Sequence, residues 1–86
     1  MIHNIKITPE HFQQKVDGVK PFEVRINDRN YNVGDYLVEQ EFDPIENKYT
    51  GNFVTEEILC ILDDETYCRS GYVIMGTKVC AIPMRT

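Results

Sequence analysis

Three side chains near the start of the chain, Lys20, Glu23 and Arg25, are of the types that grip a polar ligand. Arginine presents a rigid fork of donors, lysine a compact charge, and glutamate accepts from amines and amides. Brought together, they suit a planar ligand with donors and acceptors on its edge. Strand geometry puts Glu23 and Arg25, two apart, on one side. Lys20 lies three before Glu23 and would face the other way on a regular strand. Pro21 and the Gly18 turn predict an irregular entry that swings Lys20 to the same side. The plainer expectation is an exposed ion pair worth roughly 0–1 kcal/mol. On a solvated cleft face, alanine at any of the three would cost no more than about 1 kcal/mol.

The elements that must position them follow from periodicity. Ile2 to Ile7 alternates apolar and polar residues and predicts a short strand. Thr8-Pro9-Glu10 is a helix start: a capping hydroxyl, a proline suited to the first turn, and an acid at the positive end of the dipole. Phe12 and Val16 share one face, and Gly18 suits a left-handed C-terminus, so the helix is expected over Pro9 to Asp17. In Pro21 to Asn27, Phe22, Val24 and Ile26 alternate with Glu23, Arg25 and Asn27, which predicts a strand with an apolar buried face and a polar outer face. Gly34-Asp35 is a turn. Tyr36 to Phe42 is a further strand, Asp43 to Gly51 a loop, and Phe53 to Leu62 a long strand buried on both faces at its end. Two strands, Gly71 to Met75 and Val79 to Ile82, flank a bulge or bend at Gly76. One helix among antiparallel strands is an α+β plan, with a curled sheet or small barrel.

Composition bounds what this fold can do. Eighty-six residues make one domain, too small to enclose a large cofactor, and none is expected. No leader segment is apparent, and the longest apolar run, Ile58 to Leu62, is far short of a membrane span. A cytosolic protein is expected. Three cysteines without CxxC spacing argue against a disulfide framework or a zinc site, and Cys60 and Cys80 are expected to be buried. The net charge of −5 opposes non-specific duplex DNA binding. From Asp35 to Thr66 the chain has ten acids and one base, whereas Lys15 to Arg29 has four bases and three acids. Both stretches are read as solvated faces. The aromatic residues Tyr31, Tyr36, Phe42, Tyr49, Tyr67 and Tyr72 lack interleaved bases, so packing is expected rather than base stacking.

The segment Gly18-Val19-Lys20-Pro21-Phe22-Glu23-Val24-Arg25 resembles the GxKxxExR signature of ASCH domains in the PUA-like superfamily, with all four fixed positions matched. The Val33-Gly34-Asp35 turn and the strand Gly71 to Met75 resemble the small bacterial and phage branch of that group. The resemblance implies an α+β fold, a PUA-like curled antiparallel sheet or pseudo-barrel with one N-terminal helix. It implies RNA, or a modified nucleoside or nucleotide, as partner. Lys20, Glu23 and Arg25 inherit the cleft, and Gly18 the turn that opens the strand.

Some relatives in that superfamily are amidohydrolases that deacylate an acylated cytidine. Lys20 matches their catalytic lysine, but Glu23 stands where they have threonine. Glu23 would then act as a base if burial raised its pKa, or with Lys20 on a bound water, and Glu65 is a candidate for the remaining acid. Three readings stand: an RNA- or nucleotide-binding module at Lys20, Glu23 and Arg25; a small hydrolase using Lys20 and Glu23; and an acidic domain that meets a basic protein partner.

Overall fold

The computed structural model describes residues 1–81. Strand β1 (Ile2–Ile7) leads into helix α1 (Pro9–Val16), followed by β2 (Phe22–Ile26), β3 (Tyr36–Asp43), β4 (Lys48–Leu62) and β5 (Tyr72–Ala81). The five strands form one sheet in the order β1-β3-β4-β5-β2, curled into a half-barrel with α1 against it. The sheet is mixed rather than antiparallel. β1 runs parallel to β3 with Ile5 opposite Glu39, while β3–β4, β4–β5 and β5–β2 are antiparallel.

Local sequence explains the helix ends. Pro9 opens α1, although the Thr8 side chain makes no capping bond and only its carbonyl accepts from Phe12. At the other end Gly18 takes a φ of 75°, its N–H donates to the Lys15 carbonyl, and the Val19 N–H reaches back to the Gln14 carbonyl. This is a Schellman closure, which only a glycine adopts at low cost. It turns the chain directly into β2.

Two apolar clusters fill the concave side. Ile5, Tyr31, Leu37, Ile58, Val73 and Met75 form one, and Ile7, Phe12 and Val54 the other, with Val16 and Val79 at its margin. Between them on β4 and β5 the inward positions are Glu56 and Thr77. A polar layer therefore crosses the core.

That layer reverses the expected orientation of β2. Glu23 points inward and is 2% exposed, while Phe22, Val24 and Ile26 face outward at 44%, 51% and 57%. The inward side of β2 meets charged partners, so pairing Glu23 there outweighs the half-exposure of three apolar side chains. The solvated-face reading of the charged segments fails at Lys15, Glu39 and Glu56, which join that layer, and at Asp35, which is buried against His3.

Other expectations shift as well. The predicted loop from Asp43 is a tight hairpin, because β4 already begins at Lys48. The last two expected strands are one, β5, and the Ile82 end lies outside the described residues. A bulge does fall beside Gly76, with the extra residue on the partner strand, between Ile58 and Cys60. A side chain at Gly76 would stand 2.5 Å from the Cys60 Sγ, which explains the glycine. Cys60 pairs with Gly76, whose row faces outward, so Cys60 is exposed along with Leu59 and Leu62. The run is therefore not buried on both faces. Cys80 is also exposed, whereas Cys68 is buried with its Sγ on the Leu62 carbonyl. Tyr31 is buried and Phe42 and Tyr72 half-buried, but Tyr36, Tyr49 and Tyr67 are exposed. No helix among the described residues is long and apolar enough to cross a membrane.

These orientations have a direct test in urea melts. Val24→Thr and Ile26→Thr should each change stability by less than about 1 kcal/mol, because both sites are outward. Leu37→Ala, at a fully buried site, should cost about 2–5 kcal/mol. A large loss at Val24 would restore the apolar-inward strand.

Candidate functional site

The first step in building the site is the Lys15 ammonium. Phe12 anchors α1 in the core, and Lys15, three residues on, shares its face. The Lys15 Nζ donates to the carbonyls of Lys20 (2.8 Å) and Phe22 (2.7 Å), which flank Pro21. It also lies 3.0 Å from Glu56 Oε1, 3.2 Å from Glu23 Oε2 and 3.5 Å from Thr77 Oγ1. The Pro21 carbonyl in turn accepts from the Thr77 N–H. The entry to β2 is thus pinned at three successive carbonyls, and this irregular entry brings Lys20 to Glu23.

Around Glu23 the charges balance. Its Oε1 accepts from Arg25 Nε (3.1 Å), with Arg25 Nη2 at 2.9 Å. Its Oε2 lies between the ammonium groups of Lys15 (3.2 Å) and Lys20 (3.4 Å), without a hydrogen bond of good geometry from either. Glu39 comes within 3.9 Å of Arg25 Nη2, and neither of its oxygens has a hydrogen-bond partner among the described residues. Glu23, Glu39 and Glu56 thus gather around Lys15, Lys20 and Arg25, three charges of each sign. One oxygen from each carboxylate lies within 4.8 Å of the others, a spacing that would suit a cation. The Lys15 ammonium already supplies positive charge to two of them.

The structure therefore unites Lys20, Glu23 and Arg25, but as members of a buried network. Their expected tolerance of alanine is overturned at Glu23, which is not on a solvated face. Gly18 lines a separate cleft of about 330 Å³ on the far side of Lys20, together with Lys15, Glu56 and Thr77. Glu65 is exposed in the β4–β5 turn, accepts from Ser70, and lines none of the three clefts. Sequence reasoning missed Lys15, Glu39 and Glu56. Each sits in an inward register: Lys15 with Phe12, Glu39 with Leu37, and Glu56 between Val54 and Ile58.

The network opens to solvent at the gap between β1 and β2, the two edges of the sheet. No backbone ladder joins them. Instead Arg25 Nη2 donates to the Lys6 carbonyl (3.0 Å) and Arg29 Nη1 to the Asn4 carbonyl (2.8 Å). One cleft of about 530 Å³ lies here, with Lys6, His11, Lys20 and Arg25 around the single acid Glu23 and the apolar Phe22 and Val24. A second, of about 400 Å³, continues along the seam past Arg25 to Asp28, Arg29, Tyr31 and Tyr72. None of the ten acids between Asp35 and Thr66 lines either one. In an acidic protein, the seam is the cationic region.

This curled half-barrel belongs to the family described as a domain of unknown function, DUF3850, whose profile matches residues 2–77. No curated protein matches the sequence.

Two groups, one outside the network and one within it, matter for pH. Asp35 accepts from the buried His3 ring (2.9 Å), the terminal ammonium (3.0 Å) and the Asn32 N–H (3.0 Å), and its carboxyl is lowered to about 2. Burial raises the Glu56 carboxyl, partly opposed by Thr77 and Lys15.

Removing a partner from the network leaves buried charge uncompensated, so Lys15→Met and Glu23→Ala should each cost about 3–5 kcal/mol. Lys20→Ala should cost about 1 kcal/mol. Thermal melts of the three variants rank them, and equal small losses would show that the network carries no stability.

A second measurement follows from the titrations. The depressed Asp35 carboxyl contributes stability that is full above its unfolded value, 3.8, and is lost as pH falls through about 2. The raised Glu56 carboxyl acts the other way: stability declines as pH rises from its ordinary value, 4.5, through its folded one. Chemical denaturation from pH 2 to 8 should show a maximum in the mildly acidic range. Asp35→Asn should flatten the limb between about pH 4 and 2, and an unchanged limb would remove Asp35 as its source.

Proposed function

We propose that the protein is an RNA- or nucleotide-binding module whose ligand occupies the seam cleft at Lys20, Glu23 and Arg25. The observation that carries this reading is the cationic cleft itself, set between free sheet edges in a chain of net charge −5. Its polar groups are mixed in a useful way. Lys6, Lys20 and Arg25 donate to phosphate or carbonyl oxygens, and a base amine or amide reaches the Glu23 carboxylate by sharing Oε1 with Arg25, since Oε2 is enclosed. Phe22 and Val24, outward on the rim, offer apolar surface to a base. This donor–acceptor pattern fits the ASCH-type, PUA-like reading of the GxKxxExR segment. The protein then works in the cytosol, where such ligands are found.

The hydrolase reading has one observation in its favour, the 3.4 Å separation of Lys20 Nζ from Glu23 Oε2, although that oxygen is enclosed. Against it, Glu23 is enclosed by three cations and has no hydroxyl nucleophile in its place. Binding without turnover is the expected behaviour.

Titration with fluorescent single-stranded RNA should give modest affinity. With two or three phosphate contacts, log K should fall against log salt with a slope near −0.7 per contact. Lys20→Gln should weaken binding while the fold is retained, and duplex DNA should bind more weakly than single strands. Tight duplex binding with a steep slope would overturn the reading. Turnover of an acylated cytidine, abolished by both Lys20→Ala and Glu23→Gln, would promote the hydrolase. Association with a basic protein that survives loss of both Lys20 and Arg25 would favour the acidic interaction domain.

A further inference from the structure

The two clefts along the β1–β2 seam share Lys6, Val24 and Arg25, so they lie side by side with the Arg25–Lys6 contact between them. We propose that they are consecutive subsites of one track, and that the ligand is a single-stranded chain of at least two nucleotides rather than a free nucleoside. This rests on the reading of the first cleft as a nucleotide site and extends it to the second.

The spacing of the anchors supports a chain ligand. Arg25 and Arg29 fasten to the carbonyls of Lys6 and Asn4, two residues apart on the same free edge of β1. Strand geometry separates such carbonyls by roughly 7 Å. The two guanidinium groups are therefore held in a row parallel to the seam, at a distance comparable to the phosphate repeat of an extended strand. Each guanidinium has five donors, and the contacts to β1 use only part of each set. Both can face the groove while staying docked.

The subsites also differ in character. The first has a buried acceptor, Glu23, with Lys20 beside it, and so reads the edge of a polar group. The second has no buried acid in its lining. It pairs Arg29 with apolar and aromatic surface from Val24, Ile26 and Tyr72, which suits a phosphate and a base held by its face. Its only acid, Asp28, is exposed and lies 3.8 Å from Arg29 Nε. A ligand filling the first cleft alone leaves this cationic shelf unused.

The experiment is a length ladder at fixed salt: a ribonucleoside monophosphate, the dinucleotide and a hexanucleotide, titrated against the parent protein and Arg29→Gln. Arg29 is largely exposed and stands outside the buried network, so the variant should fold, which its melt will confirm. The expected result is at least a tenfold gain in affinity from monophosphate to hexanucleotide. Arg29→Gln should erase most of that gain and leave the monophosphate unchanged. Equal affinity for monophosphate and hexanucleotide would overturn the track but leave the first cleft as a nucleotide site. Equal weakening of both by Arg29→Gln would overturn it too. Binding of neither would overturn both readings, and an oligoglutamate of matched charge binding as tightly as the hexanucleotide would reduce the seam to a general polyanion surface.

Discussion

A single ammonium group, on Lys15, is the constraint from which the rest of the arrangement follows. It is almost fully buried, and its acceptors come from α1–β2, β4 and β5. Taking such a charge from water costs several kcal/mol, and only good geometry with several partners repays it. Here two carbonyls and two carboxylates converge on it. In meeting them, Lys15 docks the helix, fixes the path around Pro21 and sets the inward direction of Glu23. The cleft is therefore a by-product of core structure: the same contacts that neutralise a buried lysine aim Lys20, Glu23 and Arg25 at the seam.

Much of this frame was legible in the sequence. Alternation located β1 and β2, the Gly34-Asp35 turn marked the start of β3, and Thr8-Pro9 with Gly18 bracketed α1 closely. The grouping of Lys20 with Glu23 followed from the irregular entry at Pro21. What periodicity could not supply was the sign of β2. Alternation says which residues share a face, and it is mute on which face is inward when the core has a charged layer. Assigning apolar side chains inward is the safer guess, and it inverted Phe22, Val24 and Ile26. The same assumption hid Glu39 and Glu56, although their neighbours Leu37, Val54 and Ile58 share their register. Cys60 escaped because a register shift before it moves its row outward.

Edge strands are hazards, since their unpaired groups invite another chain. Here both edges face one another across the seam, and two arginines take the place of the missing ladder. Side chains let go more readily than a backbone ladder does. The seam thus combines a protected edge with an accessible groove, and the positive charge that protects it also selects what approaches. Apart from the buried Glu39 and Glu56, the acids of β3, β4 and their connections lie away from the seam and repel anions from the surface they occupy.

The strand order also bears on how the molecule assembles. β3, β4 and β5 follow one another as neighbours, joined by antiparallel returns, a tight one between β3 and β4 and a longer one between β4 and β5. β1 must wait for β3, and β2 for β5, with long stretches of chain closed in each case. Such distant pairings pay loop entropy before they gain contacts, and they slow folding. The seam lies where the two pairings of greatest sequence separation in the sheet meet, so the groove depends on both closures at once.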